Sequence, residues 1–314
     1  MKLVRLQDDQ RDFFDQNGYL VVPSALDSEE IEKLTNVSDR MVAEFVREQH
    51  PDVRPHYVQR RPGIVEAREF HPLMAHSATV PLLVQLLSAN IHLHTTAIIY
   101  KYPQDDAGET PQRGWHRDIG MTEDLGHGHL VRAGIKVGYC LTDFPEPRSG
   151  FTMFAPGSHL LPTPLPIPKG GVDPENAVDL CLKAGDAFLF ENRVFHTAAP
   201  NLSQQTSKVV IFGYSYRWIG GSRDNMKLVQ PGEEVLAQVD DIRKQLLGGS
   251  CDALIDWAKQ QGIAREPLQW TMELPNALED EGEKSFDEVE EEAPITAAKS
   301  CRVNTGMDLR CSWD

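Results

Sequence analysis

The sequence predicts a mainly β fold with flanking helices, of the sandwich or barrel kind, and three observations carry that expectation. From Ile91 onward, short apolar runs recur between glycine and proline turns, the pattern of many short strands around one core. Ahead of Ile91 the apolar positions fall at helical spacing behind capping residues. With 314 residues, 40% of them apolar and 25% charged, the chain can bury one large core.

The elements follow in order. Asp27-Ser28-Glu29-Glu30 supplies capping and early acids ahead of Ile31, Leu34 and Val37, so a helix is predicted there. A second apolar helix is predicted over Val80 to Leu87. Strands are predicted over Leu93 to Tyr102, Ala133 to Leu141, Phe151 to Ala155, Asp179 to Leu182, Ala187 to Phe190 and Lys208 to Trp218. Pro156-Gly157, Gly185-Asp186 and Pro200-Asn201 punctuate them as turns. The folded part is expected over 1–275, with a helical N-terminal part over 1–90, a barrel over 91–220 and C-terminal helices over 221–275. Residues 276–314 read as an acidic, disordered tail, since nine acids stand against Lys284 alone between Glu279 and Glu292, a local charge of −8. Cutting the chain near 275 is expected to leave melting temperature and turnover nearly unchanged, and a large loss of either would contradict this boundary.

The net charge of −16 disfavours nucleic acid or an anionic membrane as a partner, because both reward clustered Lys and Arg. No run of about 18 apolar residues is present, and the opening residues lack the apolar stretch of a signal peptide. The expectation is a cytoplasmic protein acting on a small molecule, as a monomer or homodimer. Five cysteines form no Cys-X-X-Cys pair and read as reduced thiols. Cys140 and Cys181, on apolar runs, are expected to be buried.

His116, Asp118 and the distant His196 can supply the three protein ligands of a mononuclear iron site. A His and a carboxylate two residues apart on a strand point to one face. A second His from another strand completes one triangular side of an octahedron and leaves three positions open, whereas a closed structural zinc site uses four protein ligands. The His-Arg-Asp tripeptide is weak by itself, and read alone His116 is more readily a hydrogen-bonded core or loop histidine. Its context strengthens it, because His196 is expected where a strand ends beside a loop, after Ala187-Phe188-Leu189-Phe190 and before Pro200-Asn201.

Taken in order, Gly114-Trp115-His116-Arg117-Asp118, Lys136-Val137-Gly138-Tyr139-Cys140-Leu141-Thr142-Asp143, Ser149-Gly150, Pro156-Gly157-Ser158-His159, Ala184-Gly185-Asp186 and His196 resemble the phytanoyl-CoA dioxygenase family. Phe14, Gly18-Tyr19-Leu20-Val21-Val22-Pro23 and Leu26 to Leu34 resemble its opening helix, strand and helix. The resemblance implies a double-stranded β-helix, the jelly-roll barrel also seen in cupins. It implies an oxygenase in which His116, Asp118 and His196 hold Fe(II), with 2-oxoglutarate and O2 as co-substrates and succinate and CO2 as products. Halogenating relatives carry a small residue at the carboxylate ligand, so Asp118 implies hydroxylation, desaturation or ring formation instead. Two other classes stay open: a cupin-like metal-dependent isomerase or hydrolase that does not use 2-oxoglutarate, and a non-catalytic binding module.

One departure from the family stands out. Its members usually carry an arginine after the second metal histidine, paired with the distal carboxylate of 2-oxoglutarate. Aligned through Asn201, Ser203 and Tyr214, that position here is Ser207, with Lys208 beside it, and a hydroxyl cannot replace the charge. Lys136 is the first substitute expected, since it shares a strand face with Gly138 and Cys140, and Gly138 is small enough to leave room for the co-substrate. Lys208 is the second, although it should point the other way, and Thr152 can add a hydroxyl. Arg217 is expected to lie too far along its strand. Residues 119–132 should cover the iron, with His127 and His129 hydrogen-bonding rather than ligating. His92 and His94 read as packing or surface residues, and Arg60, Arg61, Arg68 and Tyr57 as solvated surface or as contacts for an anionic substrate. An acidic chain offers no obvious groove for the phosphates of a CoA thioester. A small natural-product or amino-acid-like metabolite is the expected substrate.

Overall fold

The computed structural model describes residues 1–50, 55–61, 63–105, 113–118, 132–161, 164–219 and 231–263. Helix α1 (Asp8–Asn17) is capped by reciprocal Gln7 and Gln10 bonds and stops at Gly18, whose φ of 82° suits glycine. The chain then enters strand β1 (Tyr19–Val22). Helix α2 (Ser28–Gln49) opens on a capping box in which Asp27 accepts from the Glu30 amide and the Glu30 side chain accepts from the Asp27 amide. Leu34, Val37, Ser38, Met41 and Val42 form its buried stripe.

After β2 (Tyr57–Arg60) come α3 (His71–Met74) and α4 (Val80–Leu86), then β3 (Ile91–Lys101), β4 (Gly134–Cys140), β5 (Thr152–Phe154), β6 (Val178–Asp179), β7 (Ala187–Glu191), β8 (His196–Ala198) and β9 (Ser207–Tyr216). Three short helices close the described part, α5 (Glu233–Leu236), α6 (Asp241–Leu246) and α7 (Ala253–Gln260). The strands form a six-stranded sheet in the order β1-β7-β4-β9-β3-β2 and a three-stranded sheet in the order β6-β5-β8. All pairings among the described residues are antiparallel, and the two sheets, which do not join into a closed barrel among those residues, are consistent with the jelly-roll that the family resemblance implied.

Alternation along the strands puts the two faces of the large sheet into two cores. On β4 and β7, Ile135, Val137, Tyr139, Ala187 and Leu189 pack towards the helices with Leu34, Leu83 and Leu254. The alternate residues Cys140, Phe188 and Phe190 meet Phe151 and Phe154 of the small sheet's side. Burial on both faces explains why β7 reads as an unbroken apolar run. At its end Glu191 is fully buried, its carboxylate held by Arg132 and Arg193. The loop between β7 and β8 is thereby tied to the start of β4.

Several expectations need correction. β2 and β8 were not foreseen, being only four and three residues long, and His196 opens a strand of the small sheet instead of following the end of one. Gly138 does not leave room for a co-substrate, because a Cβ there would lie 2.2 Å from Cζ of Phe188, whose ring fills the space. Gly138→Ala is therefore expected to destabilise the fold by about 1–3 kcal/mol through overpacking, measured as a lower denaturation midpoint. Cys140 is buried but Cys181 is exposed, since Leu182 turns inward to pair with Phe144 and its neighbour must face out. The tail 276–314 and most of the loop 119–132, with His127 and His129, lie outside the described residues. Among the described residues no helix is long and apolar enough to cross a membrane.

Candidate active site

Between the two sheets lies a cavity of about 220 Å3, and His116, Asp118 and His196 all line it. His116 sits on an isolated bridge opposite His196, with reciprocal main-chain bonds of 3.1 Å in each direction. Asp118 follows in a bend rather than on a strand, and its amide donates to the Asn192 carbonyl at 3.0 Å. The carboxylate is thus brought to the histidines by two anchors, one to His196 at the start of β8 and one to Asn192 in the β7–β8 connection. One ligand atom from each of the three residues lies within 4.8 Å of the others.

The side chains are set for a cation. His116 Nδ1 is 2.7 Å from the Gly114 carbonyl and His196 Nδ1 is 3.1 Å from the Val194 carbonyl. Those bonds fix the Nδ1–H tautomers and leave each Nε2 lone pair for a metal. Burial, opposed by Asp118 and aided by His116 and Lys136, pushes His196 down to about 4, so it is neutral and able to ligate near pH 7. Burial works against ionisation of Asp118, but Lys136, His196 and His116 outweigh it and hold the carboxyl well below the usual carboxylate range. Its Oδ1 accepts from Lys136 Nζ at 2.6 Å. Its Oδ2 is buried and has no hydrogen-bond partner among the described residues. A buried carboxylate oxygen without a donor is costly, and the carboxylate with the two nearby imidazoles makes a donor set of the kind that suits Fe(II). The residues fit the metal.

The rest of the cavity divides the cations that the sequence offered. Lys136, expected to wait for the co-substrate, is instead bonded to Asp118 and lies 5.7 Å from the Phe190 ring centre. Lys208 points to the opposite face of β9 and pairs with Asp39 at 2.7 Å. Ser207 is buried on the inward face, within reach of the Lys101 and Gly150 carbonyls. Thr152 lines the cavity. Arg217 lies elsewhere, paired with Asp252 and Asn90.

Three lining residues were missed or misread in the sequence. Lys101 ends the inward series Thr95, Ala97, Ile99 and Lys101 of β3, and the parity it shares with Ala97 and Ile99 is the signal that was available. His94 sits where the β3–β9 register shifts between Leu93 and Thr95, a bulge that aims it into the cavity. Burial first, then Lys136, pushes it down to about 3. Arg61, beyond the end of β2, donates to Thr95 Oγ1 at 2.7 Å and lines the cavity with Gln59 and Tyr57, whereas Arg60 donates to the Met41 carbonyl. Arg117 is held by the carbonyls of Arg193, Ser158 and Leu161.

A family model described as Phytanoyl-CoA dioxygenase (PhyH) matches residues 14–209. The chain belongs to the phytanoyl-CoA dioxygenase family. It is accordingly a non-haem iron, 2-oxoglutarate-dependent dioxygenase that uses Fe(II), 2-oxoglutarate and O2. Similar solved structures include HygX from Streptomyces hygroscopicus with nickel and 2-oxoglutarate bound, at a TM-score of 0.53 and 18% identity over 67% of this chain and 87% of that one. The same protein with hygromycin B also bound matches at a TM-score of 0.52, 18% identity and the same coverage. The 2-oxoglutarate-dependent epimerase SnoN from nogalamycin biosynthesis matches at 0.49 and 19% identity, over 66% of this chain and 81% of that one. These are likenesses of fold. No curated protein matches the chain by sequence.

Proposed function

We propose that this family member oxidises a small, natural-product or amino-acid-like metabolite at an unactivated carbon, with His116, Asp118 and His196 as the ligands of its Fe(II). The observation that carries the ligand assignment is the convergence of one ligand atom from each of His116, Asp118 and His196 within 4.8 Å, with both histidine Nδ1 atoms engaged by carbonyls and Asp118 Oδ2 buried without a partner among the described residues. Fe(II) bound there would supply the oxidative decarboxylation of 2-oxoglutarate to succinate and CO2 and the power to take a hydrogen atom from substrate. Hydroxylation, desaturation and ring closure all begin with that abstraction. The charge of −16 supports a compact substrate over a CoA thioester, whose phosphates would need a basic groove.

The protein's own part is positioning. His116 and His196 present lone pairs held in place by their carbonyl partners, and Lys136 keeps Asp118 ionised through Oδ1 while Oδ2 stays without a partner among the described residues. His94, Arg61, Thr95 and Gln59 wall the β2–β3 side of the cavity, where substrate contacts are available. The test is succinate release from 2-oxoglutarate with Fe(II), followed by a mass-spectrometric screen of metabolites for gain of one oxygen or loss of two hydrogens. Absence of any succinate in the presence of Fe(II) and a metabolite mixture would count against the reading.

Lys136 gives a separate check. Lys136→Met leaves the Asp118 carboxylate without its cation, and breaking such a pair is expected to destabilise the metal-free protein by about 3 kcal/mol, at the low end of the range because both side chains keep slight exposure. Ni(II) should then raise the melting temperature of the variant by more than it raises that of the wild type.

A further inference from the structure

A buried cation at the far end of the cavity has no role in the metal centre. Lys101, on β3, is 6% exposed. Among the described residues its ammonium meets two main-chain carbonyls, Phe151 at 3.0 Å and Ala199 at 3.5 Å, and no carboxylate within hydrogen-bonding reach. Desolvating an ammonium without a counter-ion is expensive, and burial, opposed by Asp179, pushes this one down to about 7. A site that holds a lysine in this state is short of one negative charge.

The position of that charge is set by the small sheet. Lys101 reaches across to Phe151 and Ala199, while Thr152 pairs with Ala198 and Phe154 with His196. Ala199 lies three residues beyond the proposed ligand His196, about 10 Å along an extended chain. Thr152, Ala198, Ala97, Ile99 and Ile211 line the cavity between the two ends. The other lining cations are already engaged, Lys136 by Asp118, Arg117 by three carbonyls and Arg61 by Thr95 and Gln59. On β9, the residue directly opposite Lys101 is Ser207, whose hydroxyl supplies no charge.

We propose that Lys101 receives the distal carboxylate of 2-oxoglutarate, with Thr152 beside it, while the keto-acid end faces His116, Asp118 and His196. The inference rests on the oxygenase reading above. It assigns the anchor to a strand neighbouring the one that carries Ser207, and an arginine at 207 would aim at the same charge from across the ladder.

Calorimetric titration of the Ni(II)-loaded full-length protein tests this without turnover. Two probes are used, 2-oxoglutarate and 2-oxobutyrate, which lacks the distal carboxylate. Wild type should prefer 2-oxoglutarate, and Lys101→Met should weaken its binding about ten- to a hundredfold while leaving Ni(II) affinity and 2-oxobutyrate binding unchanged. Because the replacement removes an unpaired buried charge, the variant should fold with an equal or higher melting temperature; Lys101→Gln provides a second, polar replacement. Lys101→Met with Ser207→Arg should recover much of the lost affinity. Unchanged 2-oxoglutarate affinity in both Lys101 variants would overturn the anchor alone. Wild type that binds Ni(II) but shows no preference between the two probes would do the same. Wild type that binds neither Ni(II) nor 2-oxoglutarate would overturn the oxygenase site as well.

Discussion

His116→Ala is expected to empty the metal site and abolish 2-oxoglutarate turnover, a loss of more than about a hundredfold. Changing a residue that merely supports a metal ligand already costs about 10–100-fold, and here one of the three proposed ligands is removed, leaving a single imidazole and a carboxylate that Lys136 partly satisfies. The fold should survive, because the bonds between residues 116 and 196 are main-chain bonds that alanine can still make. Ni(II) calorimetry and thermal melting separate the two effects. A variant that still binds one metal ion tightly and releases succinate would remove His116 from the site.

Phe188→Ala carries the largest expected effect on stability, a loss of about 3–5 kcal/mol. The ring is fully buried and lies 4.8 Å from Phe151, 6.2 Å from Phe154 and 6.0 Å from Phe190, so it joins the six-stranded sheet to the small sheet that carries His196. Its removal leaves a void that neighbours in two separate sheets cannot easily close. Denaturant unfolding should show a lower midpoint. In the same background Gly138→Ala should lose most of its penalty, since the ring that clashes with the new methyl is gone. Additive losses in the double variant would show that the clash is not what makes Gly138 necessary.

The parts of the molecule legible in the sequence are those in which chemistry is local. The Asp27/Glu30 box, the stripe of α2 and the apolar run of β7 each state their structure within a few residues. The convergence of His116, Asp118 and His196 was readable because the three stand among the ordered family motifs. What was not legible depended on pairing between distant strands. β2 is too short to show alternation, and its place beside β3 brings Tyr57, Gln59 and Arg61 to the cavity. The partner of Lys136 could not be read from β4 alone, because Asp118 is delivered by its bond to Asn192. The depth of Lys101 follows from the register of β3 against β9 and from the small sheet above it, neither of which has a sequence signature.

The paired main-chain bonds between His116 and His196 have a consequence for how the protein resists unfolding. They join two points that are far apart in the chain, so an ion held by both imidazoles acts as a reversible staple across a long loop, and closing long loops is where a staple removes the most disorder from the unfolded chain. Any ion bound only by the folded form raises its stability in proportion to the logarithm of free metal. Metal supply would then set not only how fast the enzyme works but how long each molecule lasts, and molecules that lose their ion would be the first to be cleared by proteolysis.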